Sequence, residues 1–140
     1  MASDSNAKFS AAERAAMKER ARELKGQQTR AANEAIVLEK IAAMALADKV
    51  LAERVHAIVK DVAPQLEAKT WYGMQAYFKD GKVVVFFQDA GKFQTRFCTL
   101  GFQDAANLDD GKMWATSFAV IGLDKATEKR IADLVRQAAS

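Results

Sequence analysis

Hydrophobic positions recur with helical spacing in the first half of the chain. Ser10 followed by Glu13 forms a capping box before a segment rich in alanine, lysine, glutamate and arginine, which has few apolar side chains. Asn33 predicts the start of a second helix, and Asp48 predicts the start of a third. The apolar positions of these two helices are Val37, Leu38, Ile41, Met44, Leu51, Val55, Ile58, Val59 and Val62. Pro64, the only proline, predicts where the helical region ends.

The spacing changes to the alternation typical of β-strands after residue 69. Asp80-Gly81 is a strong signal for a two-residue hairpin, and it separates apolar strand segments over residues 77–78 and 83–87. Further strands are predicted over residues 70–72, 93–100 and 117–121. Asp124 then predicts the cap of a closing amphipathic helix.

This element order indicates an α+β fold. We expect a two-layer sandwich, in which N-terminal helices and a C-terminal helix cover one face of an antiparallel sheet of about five strands. The first helix is basic and carries little apolar surface. We therefore divide the chain into an N-terminal helical arm over residues 1–32 and a single α+β domain over residues 33–140.

Composition excludes several classes of protein. The chain has 140 residues, of which 50% are hydrophobic and 28% are charged, as expected of one globular domain. It has no apolar run of about 18 residues and no signal-peptide pattern, so we expect a cytoplasmic protein without a membrane partner. The single cysteine, Cys98, excludes an internal disulfide, and the single histidine, His56, argues against zinc and Ser-His chemistry. We interpret both as structural residues and predict no catalytic residue.

Positive charge is concentrated at the N-terminus. Residues 1–30 carry seven bases and four acids, whereas residues 31–140 carry fourteen of each. The arm contains three glutamates and lacks interleaved aromatic residues, which argues against nucleic-acid binding. A solvated helix is one interpretation. The other is self-association as a homodimer through Phe9, Met17 and Leu24.

Two sequence cores resemble a known bacterial family. The first core runs from Trp71-Tyr72-Gly73-Met74 through Ala76-Tyr77 to Asp80-Gly81 and the apolar strand ending at Phe87, and the second runs from Leu100 to Trp114. Together they are similar to the YdhG-like group of unknown function, which is placed with frataxin-like folds. The resemblance covers roughly residues 9–135 and implies a helix–sheet–helix fold. The chain departs from the family pattern at Gln75, at Ala115 and within residues 45–48, where members tend to carry proline.

The same resemblance implies iron as a cargo, because a frataxin-like member of the group has been described as an intracellular iron chaperone. Hard cations require clustered carboxylate oxygens. Most helical carboxylates of this chain have a lysine or arginine beside them, and the remaining acids lie in a loop where aspartate favours turns. These two sets are Glu34, Glu39, Asp48, Glu53 and Asp61, and Asp104, Asp109 and Asp110. We therefore predict no metal ligand from the residues themselves.

A small-molecule site is the other hypothesis. Aromatic residues are dense around the Gly73-Met74 turn, and tryptophan and tyrosine combine a flat apolar wall with a hydrogen-bonding edge. The predicted ligand-binding residues are Trp71, Tyr72, Met74, Tyr77 and Trp114. The alternative is that these side chains only cover one face of the sheet. The sequence thus predicts a non-enzymatic binding protein for a small ligand or iron, or alternatively an interaction module that acts through the N-terminal helix.

Overall fold

Helices occupy both ends of the chain and an antiparallel sheet occupies its middle. The computed structural model describes residues 9–25 and 29–140. Within these ranges the helices are α1 (Ala11–Lys25), α2 (Arg30–Ala42), α3 (Leu46–Val62), α4 (Ala90–Phe93) and α5 (Lys125–Ala139). The strands are β1 (Glu67–Trp71), β2 (Met74–Lys79), β3 (Lys82–Gln88), β4 (Cys98–Phe102) and β5 (Ser117–Val120). The α+β class and the five antiparallel strands are confirmed.

Local capping interactions determine where the helices begin. The capping box of α1 is confirmed, since the N–H of Glu13 donates to the Ser10 hydroxyl and the N–H of Ser10 donates to the Glu13 carboxylate. The cap of α5 is confirmed as well, because the Asp124 carboxylate accepts from the N–H of Thr127. Gly26, a residue type that often ends helices, follows α1 in the sequence and lies outside the described residues.

Two of the predicted helix starts are wrong. Thr29 caps α2, and its hydroxyl accepts from the N–H of Ala32. Asn33 lies inside that helix, buried, with its amide donating to Glu67 on β1. The boundary drawn between residues 32 and 33 consequently falls within α2. Asp48 lies in the first turn of α3 and does not cap that helix, since its carboxylate accepts from the N–H of Gly91 in α4.

The sheet is a meander in which sequential strands are neighbours, in the order β1-β2-β3-β4-β5. The predicted Asp80-Gly81 hairpin is confirmed, with φ values of 51° and 78°. Tyr72 and Gly73 form an equivalent two-residue turn between β1 and β2, with φ values of 52° and 76°. Positive φ at both central residues matches the twist of the flanking strands.

Residues 93–97 do not form the predicted strand. The Asp89 carboxylate accepts from the N–H of Lys92 and starts the short helix α4, which ends at Gln94 in the left-handed conformation. Strand β4 therefore begins only at Cys98, and it extends to Phe102, two residues beyond the predicted end of the strand at residue 100. The alternating pattern was misleading because a capped helical turn interrupts it.

The two faces of the sheet bury different sets of side chains. One face packs against α2, α3 and α5, with Tyr77, Val85, Phe87 and Leu100 in the core. The opposite face carries a small second cluster formed by Ala76, Phe78 and Val83, with Trp71 and Phe86 packed against it. Among the helices in the described ranges, none is long and apolar enough to cross a bilayer.

Candidate functional site

The structure does not gather the predicted ligand-binding residues into one site. Trp71 and Tyr72 are neighbours, with ring centroids 5.0 Å apart in an edge-on arrangement. Met74 pairs with Trp71 across the hairpin but is 7% exposed. Tyr77 is completely buried on the opposite, helix-covered face. Trp114 lines a separate cleft beyond the end of β4. Of the five predicted residues, only Trp71 and Tyr72 therefore remain together near the surface.

The Tyr77 hydroxyl is occupied by partners inside the protein. His56 Nδ1 lies 2.9 Å from it, and the Gln75 amide donates to it over the same distance. Gln75 also donates to the carbonyl of Ala52, while its own carbonyl oxygen is buried and has no partner among the described residues. His56 Nε2 lies 3.0 Å from the carboxylate of Glu34. Burial strongly raises the pKa of Tyr77, so the hydroxyl stays neutral. These contacts indicate a structural role for Tyr77 and His56.

A charged cluster instead lies at the end of the sheet where the Tyr72-Gly73 turn projects. The Glu19 carboxylate of α1 accepts from Lys40 Nζ of α2 at 2.6 Å and from Lys92 Nζ of α4 at 3.1 Å. Lys92 also donates to the carbonyl of Gly73 at 3.3 Å. One carboxylate is thus held between two ammonium groups from different elements.

A second carboxylate of α1 binds the turn itself. The Glu23 side chain accepts from the N–H of Tyr72 at 3.1 Å and from the N–H of Gly73 at 3.3 Å, with one oxygen for each donor. Successive backbone N–H groups in a turn form an anion-binding concavity. We name the four donor residues Lys40, Tyr72, Gly73 and Lys92 the hairpin-end site.

One face of α1 carries all of these contacts. Ala12, Ala16, Glu19 and Glu23 follow the spacing of a single helical stripe. Of the side chains described on α1, Ala16 is the only buried hydrophobic one. Arg20 adds a cationic contact, with its guanidinium 5.7 Å from the centre of the Tyr72 ring. Polar contacts therefore dominate the docking of α1.

The electrostatics of the cluster favour an ionised ligand. Burial alone would raise the pKa of Glu19, but the hydrogen bonds and charges of Lys40 and Lys92 outweigh it and hold that pKa below its ordinary value. A cleft of about 470 Å³ adjoins the cluster and is lined in part by Met44, Ala45 and Lys92. The site thus combines cationic donors with neighbouring apolar surface.

Buried side chains fix the position of Lys92 and its helix. The Asp48 carboxylate of α3 accepts from the N–H of Gly91 at 2.8 Å and from the Cys98 thiol at 3.3 Å. Burial raises the pKa of Asp89, whose side chain caps the same short helix. Burial likewise raises the pKa of Cys98 to about 11, so the thiol is protonated at neutral pH. Asp48 and Cys98 therefore serve as structural anchors.

The carboxylates considered for iron are dispersed. No group of three histidine, cysteine, aspartate or glutamate side chains within residues 9–25 and 29–140 has an arrangement that could hold a metal ion. Glu34 contacts His56 and Lys60, and Glu53 pairs with Lys49. These contacts give the acidic residues partners within the fold.

Comparisons with protein-family models, curated proteins and solved structures found no match. The site consequently rests on geometry alone. Lys40 and Lys92 were not among the predicted site residues, and Glu19 and Glu23 belong to the helix for which a solvated face was one of two interpretations. Two signals were present: the i, i+4 spacing of the glutamates and the Tyr72-Gly73 pair, which suits a two-residue hairpin turn.

Proposed function

We propose that the protein is a non-enzymatic binding protein that recognises carboxylate groups at the hairpin-end site. The observation that carries this proposal is the double occupancy of the site by α1. Glu19 lies between Lys40 and Lys92, and Glu23 accepts from both turn N–H groups. An acidic ligand could form the same contacts once α1 withdraws.

The donors suit a carboxylate for two different reasons. The N–H groups of Tyr72 and Gly73 are fixed by the backbone of the hairpin, so they bind without losing side-chain entropy. Lys40 and Lys92 supply compact positive charges on side chains that can adjust to the ligand. A dicarboxylate that spans both pairs of donors would satisfy all four.

The surroundings suggest a small acid with an apolar portion. Trp71 directly precedes the turn and Tyr72 forms part of it, while Met44 and Ala45 line the adjoining cleft. Aromatic and aliphatic walls of this kind bury the carbon skeleton of a ligand, while the polar groups fix its orientation. This retains the predicted involvement of Trp71 and Tyr72 and assigns no ligand contact to Tyr77.

For the fold, we propose a frataxin-like two-layer sandwich of the YdhG-like family. The similarity of the Trp71–Phe87 and Leu100–Trp114 segments supports this assignment, as does the packing of three helices against one sheet face. Iron binding, which the resemblance implies, stays a prediction. An anaerobic titration that shows no saturable binding of Fe(II) would remove it.

The carboxylate proposal is tested by calorimetric titration of the full chain with glutarate, a five-carbon dicarboxylate. The variant E19Q/E23Q keeps the shape of α1 but removes both competing charges. We expect it to bind glutarate at least about tenfold more tightly than the wild type, a difference of about 1.4 kcal/mol.

Two lysine variants show whether glutarate occupies the hairpin-end site. Adding K92Q to E19Q/E23Q should abolish the gain, because one of the two ammonium donors is lost. Adding K49Q should leave it intact, since Lys49 pairs with Glu53 on the exposed side of α3. The proposal fails if E19Q/E23Q shows no saturable binding, or if K92Q and K49Q behave alike.

A further inference from the structure

We infer that α1 of one chain can dock on the hairpin-end site of a second chain, so that two copies exchange their first helices reciprocally. This inference rests on the proposed function, since the site must accept carboxylates presented from outside its own chain. The partner is a second copy because α1 is the helix whose match to the site is visible in the structure.

The attachment of α1 to its own chain is weak in physical terms. It depends on Glu19, Glu23 and Arg20, and among the side chains described on α1 the only buried apolar one is the small Ala16. Partly exposed ion pairs contribute little, because water and salt screen them. The Glu19 and Lys40 side chains are 20% and 38% exposed. An undocked population of α1 is therefore expected in solution.

An undocked helix leaves complementary groups unsatisfied on both surfaces. Lys40 and Lys92 lose their shared counter-ion, and the N–H groups of Tyr72 and Gly73 lose their acceptor. The α1 helix of a second chain presents Glu19 and Glu23 with the same spacing, so it restores every one of these contacts. Because the exchange is reciprocal, both chains regain them in a symmetric dimer.

Exchange also brings together apolar side chains that one chain leaves in water. Phe9, which precedes α1, is 41% exposed. Met17 on α1 is 40% exposed, and Leu38 on α2 is 48% exposed. These three side chains stay partly exposed when α1 is docked on its own chain. In the exchanged dimer the two chains lie close to each other, so they can bury part of this apolar surface. The side chain of Leu24, the third residue of the predicted dimer contact, lies outside the described residues.

The protein concentration determines whether α1 docks on its own chain or on a second copy. The covalent link gives α1 a high effective concentration at its own site, so exchange competes only at high protein concentration. We expect the dimer fraction of the wild type, measured by native mass spectrometry and light scattering, to rise with protein concentration. A wild-type chain that stays monomeric up to about 1 mM, an effective concentration typical of short linkers, overturns the inference.

Charge-swapped chains identify the surface involved. In E19K the arm repels its own site, and in K40E/K92E the site repels its own arm, so each variant alone should lose the wild-type dimer. Mixed in equal amounts, E19K and K40E/K92E place opposite charges together in trans, and the heterodimer should exceed either homodimer at least tenfold. The triple variant E19K/K40E/K92E restores the attraction within one chain and is the matched control.

The outcomes separate this inference from the proposed function. Dimers that persist in E19K alone, or a mixture without heterodimer, contradict helix exchange because another surface must then be responsible. Glutarate binding by E19Q/E23Q is measured independently of oligomeric state. If glutarate binds and no exchange occurs, the inference fails and the proposed function stands. If glutarate does not bind, the proposed function fails, and the inference that rests on it fails as well.

Discussion

The Nδ1 atom of His56 lies 2.9 Å from the hydroxyl oxygen of Tyr77, and this contact joins α3 to strand β2. The surrounding groups assign the direction of every hydrogen bond. The Glu34 carboxylate can only accept, so His56 Nε2 carries the proton, and the neutral ring accepts from Tyr77 through Nδ1. The Tyr77 oxygen in turn accepts from the Gln75 amide. A continuous chain of bonds therefore runs from a surface carboxylate to a buried amide.

Removing the Tyr77 hydroxyl should destabilise the fold. In Y77F, His56 Nδ1 loses its donor and one N–H of Gln75 loses its acceptor, both in buried surroundings. We expect the free energy of unfolding, measured with urea, to fall by about 1–3 kcal/mol. Y72F is the matched control, with an expected change within about 0.5 kcal/mol, because Tyr72 uses its ring and backbone for its contacts. Loss of ligand binding in Y77F at unchanged stability would contradict this structural role.

The pH dependence of stability should report His56. Burial lowers the pKa of His56 below its ordinary value of 6.5, although the Glu34 carboxylate partly opposes this shift. Between the folded and unfolded pKa values the unfolded chain binds more protons. The free energy of unfolding should therefore decrease as the pH falls from 6.5 through the folded pKa, and then level off. Urea unfolding from pH 8 to pH 5 measures this slope.

The variant H56Q isolates that contribution, because glutamine does not titrate. Its stability should be lower than that of the wild type at pH 8, where the neutral ring makes both of its hydrogen bonds. Its free energy of unfolding should show no step between pH 6.5 and the pKa that His56 has in the folded wild type. Equal slopes in H56Q and the wild type would mean that another group is responsible.

Local sequence signals predicted the parts of the fold that depend on neighbours in the chain. The capping box at Ser10, the cap at Asp124 and the Asp80-Gly81 hairpin each involve residues at most three positions apart. Such contacts form wherever the segment folds, so single-sequence rules describe them well. The α+β class follows from the order of these elements.

The candidate site depends on contacts that no local rule reveals. Glu19 lies 21 positions from Lys40 and 73 positions from Lys92 along the chain. Charged residues on an amphipathic helix usually face water, and nothing in a sequence states which of them meets a partner from another element. Similarly, density of aromatic residues in sequence did not predict proximity, because Trp71 and Tyr77 lie on opposite faces of the sheet.

Gly101 should tolerate no side chain, because Phe86 lies over it. The two residues are direct neighbours on β4 and β3, and a Cβ atom at Gly101 would clash with the outer edge of the Phe86 ring. We expect G101A to lower the free energy of unfolding by about 1–3 kcal/mol through overpacking. Thermal or urea unfolding measures the change.

Two further variants keep this prediction falsifiable. Gly122 has open space around it and an ordinary φ, so G122A should change stability by less than about 0.5 kcal/mol. Replacing Phe86 by leucine in the G101A background should recover part of the loss, because the ring that meets the new methyl group is gone. If G101A and G122A have equal stability, Phe86 does not pack over Gly101 as described.

The two hairpin turns allow backbone strain to be separated from the docking of α1. Gly73 and Gly81 have φ values of 76° and 78°, so alanine at either position should cost a similar amount, about 1–2 kcal/mol. A methyl group at Gly81 meets nothing within 4 Å. At Gly73 it would displace the Lys92 ammonium and the Glu19 carboxylate. Only G73A should therefore release α1.

Limited trypsin digestion measures this release, because cleavage after the lysines and arginines of α1 follows the population of the undocked helix. We expect cleavage within residues 11–25 to be about tenfold faster in G73A than in G81A, which corresponds to about 1.4 kcal/mol of lost docking. Added salt weakens the Glu19 ion pairs. It should therefore accelerate cleavage of the wild type and reduce the difference in cleavage rate between G73A and G81A. Equal cleavage rates in the two variants would show that Lys92 and Glu19 contribute nothing to holding α1, and that Glu23, Arg20 and the packing around Ala16 hold it instead.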